Sequence, residues 1–141
     1  MSTELSPARK ALKTAKWART MTKWLITYAG GAKTRWKLVE FGGPTGSESR
    51  GIVDILAIRK DHKSHLKELK HGDCFEIIFI QTKGGSAPPP TDDDISRLIR
   101  VAKIYRAKAV VLAEWQRGEK LHIHRLVGRK WHSCAPSEIF G

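Results

Sequence analysis

Residues 74–85 read Cys74-Phe75-Glu76-Ile77-Ile78-Phe79-Ile80-Gln81-Thr82-Lys83-Gly84-Gly85. The first seven are dominated by β-branched and aromatic side chains, which is the composition of a buried strand. The strand ends on polar residues, and Gln81 and Lys83, two apart, share one of its faces. The segment Gly84-Gly85-Ser86-Ala87-Pro88-Pro89-Pro90 then breaks it, because proline has no amide hydrogen for a ladder.

Downstream, Thr91 and Asp94 have the spacing of a capping box, and Asp92 and Asp93 favour the positive end of a helix dipole. Ile95, Leu98, Ile99, Ala102 and Tyr105 give that helix, spanning about 92–107, a buried stripe opposite Arg97, Arg100 and Lys103. Residues 109–115 read as a buried strand, 116–120 as a turn around Gly118, and 121–127 as an alternating strand followed by a short tail.

Upstream, residues 52–58 (Ile-Val-Asp-Ile-Leu-Ala-Ile) are another apolar run of strand length, and Trp36 to Phe41 reads as a short strand. Residues 42–51 form a polar loop, and 59–73 are too charged for a core. Trp17, Met21, Trp24, Leu25 and Tyr28 recur with helical spacing, and Gly30-Gly31 stops the helix. This stripe is expected to pack in the core. Leu5, Ala8, Leu12 and Ala15 fall on another face, so residues 1–14 are expected to form a basic N-terminal arm ahead of a single domain at 15–141. The expected fold is α/β: a mixed central sheet flanked by helices.

The chain has 141 residues and a net charge of +12, from 26 Lys and Arg against 14 Asp and Glu. Residues 1–37 hold nine of the basic residues and one acid, Glu4. Such a balance disfavours cationic partners and favours polyanions, nucleic acid above all. Two cysteines, Cys74 and Cys134, are too few for a disulfide scaffold or a four-cysteine zinc site. The histidines His62, His65, His71, His122 and His124 lack zinc-finger spacing. Cys134 with His132 has no third group to orient a nucleophile. No apolar run is long enough to span a membrane. The expected compartment is the cytoplasm or nucleoid, although the basic, acid-poor N-terminus also has the composition of a mitochondrial transit peptide.

Asp54 is the anomaly. A carboxylate inside an apolar strand costs several kcal/mol unless it is compensated. A salt bridge or a loop cap would compensate it, and so would a metal. If the two apolar strands pair, Asp54, Gln81 and Lys83 converge at one edge of the sheet. A carboxylate, an amide oxygen and the Thr82 carbonyl are hard donors suited to Mg²⁺ or Mn²⁺. A lysine beside the metal would position the attacking water and steady charge on phosphorus. The glycines after it would let a phosphate backbone approach.

Gly51-Ile52-Val53-Asp54-Ile55-Leu56 and Ile78-Phe79-Ile80-Gln81-Thr82-Lys83 together resemble the PD-(D/E)XK nuclease superfamily. The first looks like the strand carrying the family's metal-binding aspartate, the second like its Glu-or-Gln, any residue, Lys strand. Gln81 resembles the variant of the restriction-endonuclease-like and virus-type replication-repair nuclease branches, and small Holliday junction resolvases are similar in size.

The resemblance implies a restriction-endonuclease-like core and a metal-dependent endonuclease that hydrolyses DNA, acting on duplex or branched substrates. It implies Asp54 and Gln81 as metal ligands and Lys83 as the catalytic lysine, in a homodimer whose two-fold axis supplies the second cut. One departure is that residues 15–29 contain no acid where the family has a helical glutamate. Glu40 or Glu48 is then the candidate extra acid, and metal affinity should be weak because few ligands are charged. The expected DNA surface comprises Arg9, Lys10, Lys13, Lys16, Arg19, Lys23, Arg35, Arg50, Arg97 and Arg100. The alternatives are a nuclease-like DNA-binding protein without hydrolysis and a basic RNA-binding protein.

Overall fold

The computed structural model describes residues 6–29, 35–41, 52–61, 68–70 and 72–141. The helix α1 (Pro7–Ala29) comes first, then the strands β1 (Lys37–Glu40), β2 (Ile55–Lys60) and β3 (Phe75–Gly84). The helix α2 (Asp92–Tyr105) leads to β4 (Ala109–Trp115), β5 (His122–Val127), β6 (Lys130–Ser133) and the short helix α3 (Pro136–Phe140). The strands form one mixed sheet in chain order. Neighbours are antiparallel except β3 and β4, which run parallel, with α2 as the crossover between them.

Strand alternation sends side chains to two cores. Ile55, Ala57, Ile78, Ile80, Val111, Ala113 and Ile123 face α1 and α3, where Ile26, Trp36, Ile139 and Phe140 join them. Phe79 and Val110 face α2 through Leu98, with Ile52 at the margin. Trp36 fastens the chain's end: its Nε1 donates to the Phe140 carbonyl at 2.9 Å, and the Arg59 guanidinium lies 4.0 Å from its ring centre. Arg59 in turn pairs with Glu76 and donates to the Gly141 carbonyl at 3.2 Å.

Several expectations are corrected. Residues 7–14 are not a separate arm: α1 is unbroken from Pro7 to Ala29. Proline suits the first helical position, the Ser6 hydroxyl accepts the Arg9 amide at 3.3 Å, and Ala, Arg, Lys and Leu favour the helix. Every residue from Ser6 to Lys13 is exposed, so these turns stand on propensity rather than on packing.

The buried side of α1 is Ala18, Thr22 and Ile26, not the tryptophan stripe. Small side chains let the helix axis lie close to the sheet, which bulky rings would prevent.

The strand at 52–58 starts at Ile55 and runs to Lys60, and its neighbour extends past Ile80 to Gly84. The cause is β4, which pairs with β3 from Ile78 to Gly84 and holds it extended after β2 has stopped. Finally, the tail is ordered as β6 and α3. The α2 capping box is present as expected, with Thr91 and Asp94 bonded reciprocally. That helix ends at Tyr105, not 107, with Arg106 in the left-handed conformation at φ 53°. Tyr105 is exposed but meets Phe79 edge-on.

Candidate active site

Asp54 sits one residue before β2, with its backbone clamped on both sides. Its amide donates to the Ile80 carbonyl at 3.0 Å, and its carbonyl accepts the Phe41 amide at 2.9 Å. Its carboxylate takes over where strand pairing ends. Oδ2 accepts the Thr82 amide at 2.8 Å and the Thr82 hydroxyl at 3.3 Å. The carboxylate thus caps a β3 amide that β2 is too short to satisfy. Burial raises the Asp54 carboxyl above its ordinary value, and the two Thr82 hydrogen bonds and the nearby Arg19 charge only partly oppose it.

Gln81 and Lys83 lie on the α2 face of β3, in the alternation of Ile77 and Phe79. Both are half-buried, and the Gln81 amide has no hydrogen-bond partner among the described residues. Lys83 stands opposite Glu114 of β4. Its Nζ lies 3.4 Å from Glu114 Oε2 and 3.5 Å from the Gly85 carbonyl. Glu114 Oε1 meets His124 Nε2 of β5 at 3.0 Å. A polar row, Lys83–Glu114–His124, therefore crosses three strands. Sequence reading missed Glu114 because Ala109–Trp115 looks like a uniformly buried strand. The signal was a lone acid at its end, the same anomaly that marked Asp54.

Three of the expected residues make defined contacts. Thr82 engages Asp54 as a hydrogen-bond donor, through its amide and hydroxyl. Glu40, at the end of β1, faces α1 and pairs with Arg19 Nε and Lys23 Nζ, both at 2.8 Å. Burial works to raise the Glu40 carboxyl, but the hydrogen bonds and charges of Lys23 and Arg19 prevail and hold it below the usual range. Gly84 makes room for α1, not for a phosphate: a Cβ there would lie 2.9 Å from the Thr14 carbonyl oxygen. Glu48 and Arg50 lie outside the described residues, as do His62, His65 and His71.

Of the expected DNA-binding residues, Arg19 and Lys23 are committed to Glu40. Arg9, Lys10, Lys13, Lys16, Arg35, Arg97 and Arg100 are exposed and form no ion pair among the described residues. Thr14 rests on Gly84, so the turns carrying Arg9, Lys10 and Lys13 start from the end of β3 where Lys83 sits.

Among the described residues no three of His, Cys, Asp and Glu gather as a metal-binding group. The donors present suit a sparse site for a hard divalent cation. Asp54 is a half-buried carboxylate whose charge is only partly offset and whose Oδ1 makes no hydrogen bond among the described residues, and Gln81 carries an amide unbonded among those residues. No contact joins the two: Asp54 meets Thr82, which alternates to the face opposite Gln81 and Lys83. Magnesium commonly takes one or two carboxylates and completes its shell with water and substrate phosphate. No helix among the described residues is long and apolar enough to cross a membrane.

No protein-family model, curated protein or solved structure matches the chain.

Proposed function

We propose that this protein is a metal-dependent endonuclease that hydrolyses DNA phosphodiester bonds, with a restriction-endonuclease-like core and its site at the junction of β2 and β3. The observation carrying the proposal is Asp54, one residue before β2, whose carboxylate accepts two hydrogen bonds from Thr82, the residue between Gln81 and Lys83 in β3. The order of one helix, three antiparallel strands, a helix and a parallel strand supports the same reading.

Asp54 and Gln81 would hold the Mg²⁺ or Mn²⁺, which when bound supplies a Lewis acid for the phosphoryl oxygen and lowers the pKa of an attacking water. Thr82 orients Asp54 through two hydrogen bonds. Lys83 offers a positive charge to the phosphate on which negative charge develops. Glu114 and the Gly85 carbonyl restrict where that ammonium can go. Arg9, Lys10 and Lys13 would neutralise phosphates beyond the end of β3. Cutting both strands would use a second copy of the chain.

One observation favours a second reading, a DNA-binding protein without hydrolysis. The neighbouring acids Glu40 and Glu114 are both committed to cations, leaving Asp54, among the described residues, the one carboxylate placed for a metal.

The test is cleavage of labelled linear duplex, single-stranded, flap and four-way-junction DNA with Mg²⁺ or Mn²⁺. The protein runs beside its Asp54→Asn and Lys83→Ala variants. Metal-dependent cutting that both variants lose is expected. Tight binding with no cutting selects the second reading, and cutting retained by both variants refutes the site.

A further inference from the structure

The face of α1 turned away from the sheet carries large aromatic rings. Trp17 is 45% exposed, Trp24 58% and Tyr28 85%. They follow one another at i, i+7 and i+11, so they lie along a single stripe of the helix. Leaving such rings in water forgoes burial that a core position would reward, and an exposed apolar stripe of this kind marks a contact surface. The inward face is already filled by Ala18, Thr22 and Ile26, so the rings cannot turn into the core.

The surroundings of the stripe identify the occupant. Arg9, Lys13 and Lys16 run beside it, exposed and without ion pairs among the described residues, and Lys10 lies on its other side. Two copies of this face would bring like charges together. A lipid surface would call for exposed aliphatic neighbours, but Met21 and Leu25 on one side of the rings are half-buried, with Leu25 packed against the core, Thr20 and Thr27 flank the other side, and the exposed Leu12 lies beyond the cations. Cations beside exposed rings are the chemistry of single-stranded nucleic acid: phosphates meet the cations and base faces meet the rings.

Spacing excludes the duplex from the rings. At 1.5 Å rise per residue, Trp17 and Trp24 stand about 10 Å apart along the helix, and Trp24 and Tyr28 about 6 Å. Stacked bases are about 3.4 Å apart. Bases that reach these rings must be splayed from one another, which a paired strand cannot do.

We propose that the solvent face of α1 is a stacking platform for the unpaired strand of a DNA substrate, with Trp17, Trp24 and Tyr28 receiving bases and Arg9, Lys13 and Lys16 receiving phosphates. The proposal rests on the nuclease reading for the choice of DNA, and it narrows the substrate to DNA with a single-stranded portion. Binding at the platform needs no hydrolysis.

The test is fluorescence anisotropy of the full chain with a labelled 20-nucleotide oligothymidylate and with a duplex of equal length, without metal. Tryptophan emission is followed in parallel. The double variant Trp17→Ala/Trp24→Ala should lose about 30-fold or more in single-strand affinity and less than about twofold for the duplex. Trp17→Phe/Trp24→Phe should restore most of it, and both variants should match the parent in far-ultraviolet circular dichroism. The oligonucleotide should quench tryptophan emission in the parent and much less in the alanine variant.

Equal losses for single strand and duplex overturn the proposal, as does an absence of quenching. So does tighter binding of oligouridylate, binding only to phosphatidylserine vesicles, or a dimer that the alanine variant disrupts. Failure of the nuclease reading then appears as no cleavage with this binding intact, and failure of the platform as cleavage with no ring-dependent binding.

Discussion

Lys83 Nζ lies 3.4 Å from Glu114 Oε2, on the adjacent parallel strand, and the same carboxylate meets His124 Nε2 at 3.0 Å. Glu114 therefore sets where the ammonium of Lys83 rests. Glu114→Ala should lower single-turnover cleavage about 10-fold and leave DNA affinity within about twofold. Lys83→Ala, which removes the charge itself, should cost on the order of 10²-fold or more. Glu114→Ala cutting at the parental rate would show that the pair is only a surface contact.

Asp54 ties stability to function in opposite directions. Its carboxyl is raised above the ordinary 3.8, with burial as the first cause. A group with a raised folded value stabilises fully below its unfolded value and loses that contribution as pH rises through the folded value. At neutral pH the ionised form is thus a net burden. Asp54→Asn keeps an oxygen for the Thr82 amide and removes the charge. It should raise Tm at pH 7 by about 2–4 °C, a gain that narrows as pH falls toward 4, while abolishing cleavage. Thermal scans at pH 7 and pH 4 check this, and a lower Tm for the variant at pH 7 contradicts it.

Glu40 has the reverse sign. Lys23 and Arg19 hold its carboxyl below the ordinary 4.5 against the pull of burial. Its contribution is present above that ordinary value and fades as pH falls through the lowered one. Its partners are partly exposed, so the two ion pairs together are worth only about 1 kcal/mol. Glu40→Gln should lower the urea midpoint at pH 7 and match the parent near pH 3.

Gly84 is required by α1. A methyl group there meets the Thr14 backbone at 2.9 Å, and backbone cannot step aside as a side chain can. Gly84→Ala should cost about 1–3 kcal/mol in urea unfolding with an unchanged m-value. Because the clash is with the main chain, Thr14→Ala should not restore stability.

The first two turns of α1 make a separable electrostatic prediction. Arg9, Lys10 and Lys13 are exposed, and no described residue pairs with them. If each neutralises one phosphate, replacing all three by alanine should reduce the slope of log affinity against log salt by about 2.7 on duplex DNA. Filter binding between 50 and 300 mM salt measures it, and an unchanged slope places the DNA elsewhere.

Local chemistry made much of this legible in the sequence. The β4 strand is bounded at Ala109 and Trp115 as its apolar run is, because a strand buried on both faces must be apolar throughout. The Thr91–Asp94 box marked the start of α2, since a cap is made within one turn of chain. Asp54 stood out because a carboxylate amid Ile and Val needs a reason, and Gln81 and Lys83 shared a face because alternation is a property of the strand alone. What escaped depended on residues distant in sequence. Trp17, Trp24 and Tyr28 have core composition, yet α1 turns Ala18, Thr22 and Ile26 inward because the approach of Thr14 to Gly84 leaves no room for rings. Glu40 is withdrawn by two cations about twenty residues away, and Lys83 finds its acid 31 residues later on a parallel strand. The sequence by itself determined where most elements lie and which residues are chemically out of place. The tertiary structure decided which face each element buries and which charge meets which, because packing distance and pairing register exist only once the strands stand side by side.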